Sequence, residues 1–86
     1  MKAIETLRIF ATTSRKGSLS AAARSLSLSP ATISRRISAL EDELGVLLVD
    51  RTSRRLKLTE AGHAFLERAE IVIEAVAQAE DAARNA

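Results

Sequence analysis

Residues 18–45, SLSAAARSLSLSPATISRRISALEDELG, hold two helical rhythms separated by a corner of a few residues, which is the pattern of a helix-turn-helix. The corner is Leu28, Ser29 and Pro30. Beyond it Ile33, Ile37, Leu40 and Leu44 recur at steps of four, three and four, the spacing of one helix face. Ser29 suits the N-cap, where its hydroxyl accepts a free first-turn amide, and Pro30 suits the first helical position, where its missing N–H costs nothing. Leu28 and Ile33 stand at the two ends of a hydrophobic staple, and Gly45 is a left-handed stop. The same grammar appears one helix earlier: Arg15 and Lys16 end a first helix, Gly17 stops it, and Ser18 caps the second. The second helix turns Leu19, Ala22, Ala23 and Leu26 inward, and its alanines let its successor cross closely.

At about 100° per residue, Ala31, Arg35, Ser38 and Asp42 fall opposite the apolar stripe of the Ser29 helix, with Thr32 and Ser34 on its flanks. The outward face is small or cationic at its start, while Glu41, Asp42 and Glu43 close its far end on a solvated turn. An element that enters a major groove by its N-terminus wants this polarity. A merely solvated face would also carry Ser, Thr and Arg, but the lack of bulk at Ala31, Thr32 and Ser34 admits the backbone to base edges, where Arg35 can pair with guanine.

After Gly45 the period changes. Val46 to Val49 is a compact apolar run, and Leu56 and Leu58 alternate with Arg55 and Lys57, which predicts two short strands with a turn at Thr52 and Ser53. Arg51, Arg54 and Arg55 cluster at that turn. Charges worn against edge aggregation would run along the strands; these lie at the loop, where they can meet phosphates or a minor groove.

From Thr59 onward the chain reads as one helix of about 25 residues, roughly 38 Å long. Phe65, Ala69, Val72, Val76, Ala79 and Ala83 step by four, three, four, three and four, a coiled-coil seam that Leu66, Ile73 and Ala77 widen. The first turns around Phe65 can pack on the chain's own head. The half beyond Ile71 is harder to bury that way and predicts a partner helix.

Charge divides at the same point. Residues 1–58 hold 11 Lys and Arg against 5 Asp and Glu, a net +6, whereas residues 59–86 hold 2 against 6, a net −4, so the overall +2 conceals a basic head on an acidic stalk. The domain reading follows: 1–58 is a winged helix-turn-helix head and 59–86 a linker and dimerisation helix, in a mainly α fold. With 86 residues a chain buries about 60–65% of its unfolded surface, so association helps stability. There is no cysteine, which suits a reducing cytosol, and no apolar run approaches a bilayer's thickness. The N-terminus, with Ile4, Leu7, Phe10 and Ala11, reads as an amphipathic helix and not as a signal peptide.

Catalysis has little to use. His63 is the only histidine; there is no glycine-rich phosphate loop and no metal-spaced cluster, so neither an enzyme, a metal nor a cofactor is expected. His63 reads as a packing or phosphate-facing residue.

The order of A-A-A-R-S-L at 21–26, S-P-A-T-I-S-R-R-I at 29–37, L-E-D-E-L-G at 40–45, D-R at 50–51 and L-T-E-A-G at 58–62 resembles the N-terminal domain of LysR-type bacterial transcriptional regulators, over nearly the whole chain. That resemblance implies a winged helix-turn-helix whose linker helix pairs antiparallel with that of a second subunit, presenting two heads to an interrupted palindrome in double-stranded DNA. It assigns base contacts to Ala31, Thr32, Ser34 and Arg35, with Ser38 next along the face. The phosphate and wing contacts are Ser18, Ser20, Pro30, Arg36, Arg51, Arg54 at the wing tip, Arg55, Lys57 and Thr59; of these, Ser18, Ser20 and Thr59 are the expected caps. The dimer interface comprises Phe65, Ala69, Val72, Ile73, Val76, Ala79 and Ala83. Many members carry glutamine where Pro30 stands, and proline cannot make that side chain's contact. Full members continue into an effector-binding domain that senses a small molecule and form tetramers, so this sequence reads as a DNA-binding domain cut at the linker, with a cytoplasmic, nucleoid-associated location. The rival reading is a winged helix that recruits a protein partner through the Thr59 helix, its basic head merely solvated. RNA is disfavoured because Phe10 and Phe65, the only aromatics, lie on apolar faces.

Overall fold

Local capping chemistry sets most of the helix boundaries. In the computed structural model, which describes residues 2–52 and 55–86, α1 spans Lys2–Lys16 and ends at Gly17, whose φ of +75° is the left-handed stop its position demands. Helix α2, Leu19–Leu26, starts where Ser18 Oγ accepts the Ala21 N–H at 3.1 Å. Helix α3, Pro30–Leu44, starts the same way, with the Thr32 N–H donating to Ser29 Oγ at 3.1 Å, and stops at Gly45, φ +73°, whose N–H returns to Glu41 O at 2.8 Å. Helix α4, Glu60–Arg84, is capped by Thr59, whose Oγ1 accepts from Gly62 N at 3.0 Å while donating to Leu47 O at 2.6 Å. One hydroxyl thus ties the start of α4 to the segment ahead of the wing.

The wing is a two-stranded antiparallel ladder, β1 Val49–Asp50 and β2 Lys57–Leu58, with Val49 opposite Leu58 and Asp50 opposite Lys57. It begins later than expected. Val46 and Leu47 are 47% and 67% exposed and outside the strand, and only Leu48 and Val49 turn inward. The apolar run is a loop that plants two residues, and the amides of those two residues are drawn to Glu41 rather than to a strand partner. This corrects the expected place of Glu41. It is not on a solvated helix end but 5% exposed, with Oε2 accepting from Leu48 N at 2.7 Å and Val49 N at 3.1 Å.

The core gathers Phe10, Ile33 and Leu48 with Ile9, Ala22, Ala23, Ile37 and Val49. Ala22 and Ala23 are buried in this cluster, where their small side chains let neighbouring helices pack closely on α2. The edge of one phenyl ring meets the face of another between Phe10 and Phe65, with centroids 5.5 Å apart and planes at 74°, which brings the first half of α4 into the head. Gly62 permits that approach: a Cβ there would collide with the Leu48 carbonyl oxygen.

Helices α1 and α4 run antiparallel, since Arg15 pairs with Glu70 at 3.5 Å and Arg8 with Glu80 at 4.0 Å. The contact face of α4 is Phe65, Leu66, Ala69, Ile73, Val76 and Ala77, all buried or half-buried. Four members of the expected intersubunit seam therefore lie on this intramolecular face, two of them firmly: Ala69 is 3% exposed and Phe65 packs on the core. Ile73 and Val76 share that half-buried face. The apolar stripe left uncovered is displaced around the helix, through Ile71 and Val72, 56% and 41% exposed, to the exposed Ala75, Ala79 and Ala82. Ala83, at the end of the expected seam, is also exposed. A core-facing stripe and a coiled-coil seam share one period, so spacing alone does not separate them.

Candidate nucleic-acid interface

Helix α3 is tied on both flanks to neighbouring elements by arginines. On one side Arg36 donates from Nη2 to Thr6 Oγ1 at 2.9 Å and lies 3.7 Å from Glu5, so this residue, expected on the DNA backbone, is engaged with α1. On the other, Arg51 at the root of the wing donates from Nη1 to Ser34 Oγ at 2.7 Å and places Nη2 3.4 Å from Glu41 Oε1. The buried Glu41 carboxylate therefore holds the wing root by two amides and one guanidinium. These contacts fix the wing against α3.

Between these ties the outward face is open. Ala31 and Arg35 are exposed and Ser38 is half-buried. Arg35 lies back along its helix, with Nη2 donating to Thr32 Oγ1 at 3.2 Å, and that hydroxyl is also 2.8 Å from Ser29 Oγ. Thr32 is thus committed to the cap, whereas Arg35 gives up only one exposed hydrogen bond if it extends. Pro30 is exposed at the first helical position.

Beside this face lies an open cleft bounded by the turn between α1 and α2, by Ile37 of α3, and by the wing. Its lining brings together Ser18, Ser20, Arg51 and Arg55, four residues expected on the DNA backbone, and adds Lys16. Lys16 escaped the sequence reading because a cation in a last helical turn already has a role with the helix dipole; its place next to Gly17 and Ser18 is the signal that it also faces the next helix's start. Ser18 and Thr59 are caps. Ser20 is not: it is the exposed second residue of α2. Arg55 and Lys57 are exposed and make no ion pair within 4 Å among the described residues. Arg54, expected at the wing tip, and Ser53 of the expected turn lie outside the described residues.

The wing's turn opens on Asp50, whose Oδ1 accepts both the Thr52 hydroxyl and the Thr52 N–H, the latter at 2.9 Å. The hydroxyl above all, then the amide and the positive charge of Lys57, hold this carboxyl below its ordinary range, against the opposing effect of partial desolvation. His63 is exposed on α4 and takes no part in the core.

The geometry has close counterparts. Residues 4–63 match the family model described as bacterial regulatory helix-turn-helix protein, lysR family. The transcriptional regulator TcbR of Pseudomonas sp. (strain P51) is 41% identical over 80 residues, which are 93% of this chain and 27% of TcbR. Among solved structures, the CbnR DNA-binding domain in its DNA complex superposes with a TM-score of 0.88 at 39% identity, covering 95% of this chain and 94% of that one. The BenM DNA-binding domain bound to catB site 1 DNA gives 0.92 at 33% identity, covering 95% and 91%. The chain spans about a quarter of the length of the curated relatives it matches.

Proposed function

Since the chain belongs to the LysR family of bacterial regulatory helix-turn-helix proteins, we propose that it binds double-stranded DNA sequence-specifically as a homodimer, the DNA-binding part of a transcriptional regulator. The observation that carries this reading is the exposed face of Ala31 and Arg35 standing beside a cleft lined by Lys16, Ser18, Ser20, Arg51 and Arg55. A small-residue face permits close approach to base edges, and cations beside it neutralise phosphates. Its relatives carry DNA in the corresponding complexes of CbnR and BenM.

In this reading Arg35 specifies sequence with Ala31, Ser34 and Ser38 beside it, Thr32 holds the cap, and Arg55, Lys57 and Lys16 position the head on phosphates. Residues 1–58 supply the DNA-contacting surface and 59–86 the dimerising helix, although packing runs across that division. Two chains pair antiparallel on the uncovered stripe of Ile71, Val72, Ala75 and Ala79, which sets two heads on one face of an interrupted palindrome. Tetramer formation and response to a small molecule are assigned to the remainder of a full-length regulator, acting in the cytoplasm on the nucleoid. No enzymatic activity is assigned to the chain, its relatives being transcriptional regulators. No described helix is long and apolar enough to cross a membrane.

Retention on a duplex-DNA column tests the reading. The protein should elute only at raised salt, from an excess of random duplex as well as from its own site; passage at low salt contradicts it.

A further inference from the structure

A serine hydroxyl facing a base edge is an ambiguous reader, because it both donates and accepts and so tolerates either kind of edge. Ser34 is not left in that condition. Arg51 Nη1 donates to its oxygen at 2.7 Å, and the guanidinium is held there by a second contact, at 3.4 Å, to the buried Glu41 carboxylate. On α1, Thr13 and Ser14 spend their hydroxyl protons on the carbonyls of Ile9 and Phe10, at 2.7 and 2.8 Å. Ser34 has no such back-bond, and its proton has no acceptor among the described residues. Ser38, one turn on, has no side-chain hydrogen bond among them at all.

We propose that Arg51 is a specificity-determining residue that fixes the hydrogen-bond polarity of Ser34, making it a donor that selects keto bases. The cation beside the oxygen repels an incoming amino group, and accepting from an ionised donor polarises the hydroxyl into a stronger donor itself. At the exocyclic position of the major-groove edge guanine O6 and thymine O4 accept, whereas adenine N6 and cytosine N4 donate; purine N7 accepts on adenine and guanine alike and does not separate them. Where Ser34 meets that exocyclic group it therefore prefers guanine or thymine over adenine or cytosine. Arg51 acts through Ser34 here, in addition to any attraction its charge has for phosphate. The inference rests on the proposed DNA-binding reading.

The test begins with a duplex selected by the wild-type protein from random DNA, followed by affinity measurements on all single-base variants of that duplex. Ser34→Ala should relax a keto-over-amino preference by about fivefold at one position per half-site and leave the others unchanged. Arg51→Met should weaken binding to every duplex and relax the preference at that same position by the same factor. Adding Ser34→Ala to Arg51→Met should relax it no further. Arg51→Lys, whose ammonium keeps a charge beside Glu41 but lacks the two-pronged fork, should relax it likewise, which covers the case in which the methionine variant folds poorly. Arg55→Met should weaken all duplexes with every base ratio intact, the behaviour expected of a phosphate contact alone. The proposal is overturned if the position relaxed by Ser34→Ala favours an amino base, or if both Arg51 variants retain the wild-type ratio there. Failure of the wild-type protein to enrich any sequence would instead remove the sequence-specific reading itself, and this inference with it.

Discussion

Arg51 Nη1 donates to Ser34 Oγ across 2.7 Å, so a cation at the root of the wing and a hydroxyl on α3 form one unit. Behind them Glu41 links the same guanidinium to the amides of Leu48 and Val49. The wing, only two residues per strand, is too short to hold its own position. It is placed by a buried carboxylate of α3.

Removing that carboxylate should therefore loosen the wing and cost stability. Glu41→Ala leaves two inward amides without an acceptor and is expected to cost about 2–4 kcal/mol, whereas Glu41→Gln, which retains one carbonyl oxygen, should cost less. Urea denaturation followed by circular dichroism measures both. Equal, small effects would show that the amides find other partners.

Gly62→Ala should destabilise by about 2 kcal/mol or more, although alanine is favoured over glycine in a helix interior by nearly 1 kcal/mol. The added methyl meets the Leu48 carbonyl, a backbone atom that moves only if the wing root or α4 moves with it. A raised melting temperature would contradict this account of how α4 docks.

The helix starts were legible in the sequence because capping is local. Ser18, Ser29 and Thr59 each bond an amide three residues on, and Gly17 and Gly45 take the left-handed conformation their positions require. Ser27 was not legible: it adopts φ +56° at the end of α2, a conformation for which serine gives no signal. Glu41 was misplaced for a different reason, since its partners lie seven to ten residues away and an acidic triplet at a helix end reads as solvated. The sequence also showed that α4 has more apolar surface than one neighbour needs. It did not show which stripe α1 takes, because that depends on the crossing of the two helices and not on their periods.

That division between stripes separates two classes of variant on α4. Ile71→Glu and Ala75→Glu should give monomers by sedimentation with native circular dichroism, because both residues are exposed in the single chain. Ile73→Glu, on the half-buried face toward α1, should instead lower stability. Dimers that survive charge at both Ile71 and Ala75 would place the subunit interface elsewhere.

Asp50 predicts a pH dependence confined to the acid limb. Its folded-state carboxyl is held below the ordinary range by Thr52, so its contribution to stability is full above the unfolded-state value, about pH 4, and is lost as pH falls through the lowered folded-state value. The difference in stability between wild type and Asp50→Ala should shrink on acidification below about pH 4 and stay constant above about pH 5. A difference independent of pH over that range would mean that the Thr52 contacts do not favour the ionised form.

The central claim is that the outward face of α3 reads sequence while the cations around the cleft and wing supply affinity. The most direct measurement compares binding to the selected duplex and to a scrambled duplex, across a salt series, for Arg35→Ala and Arg55→Ala. Arg35→Ala should narrow the gap between the two duplexes by about 1–3 kcal/mol, whereas Arg55→Ala should weaken both alike and lower the salt slope by about one. If Arg35→Ala leaves the gap intact while the wild-type protein discriminates, the face assigned here is not the one that reads DNA.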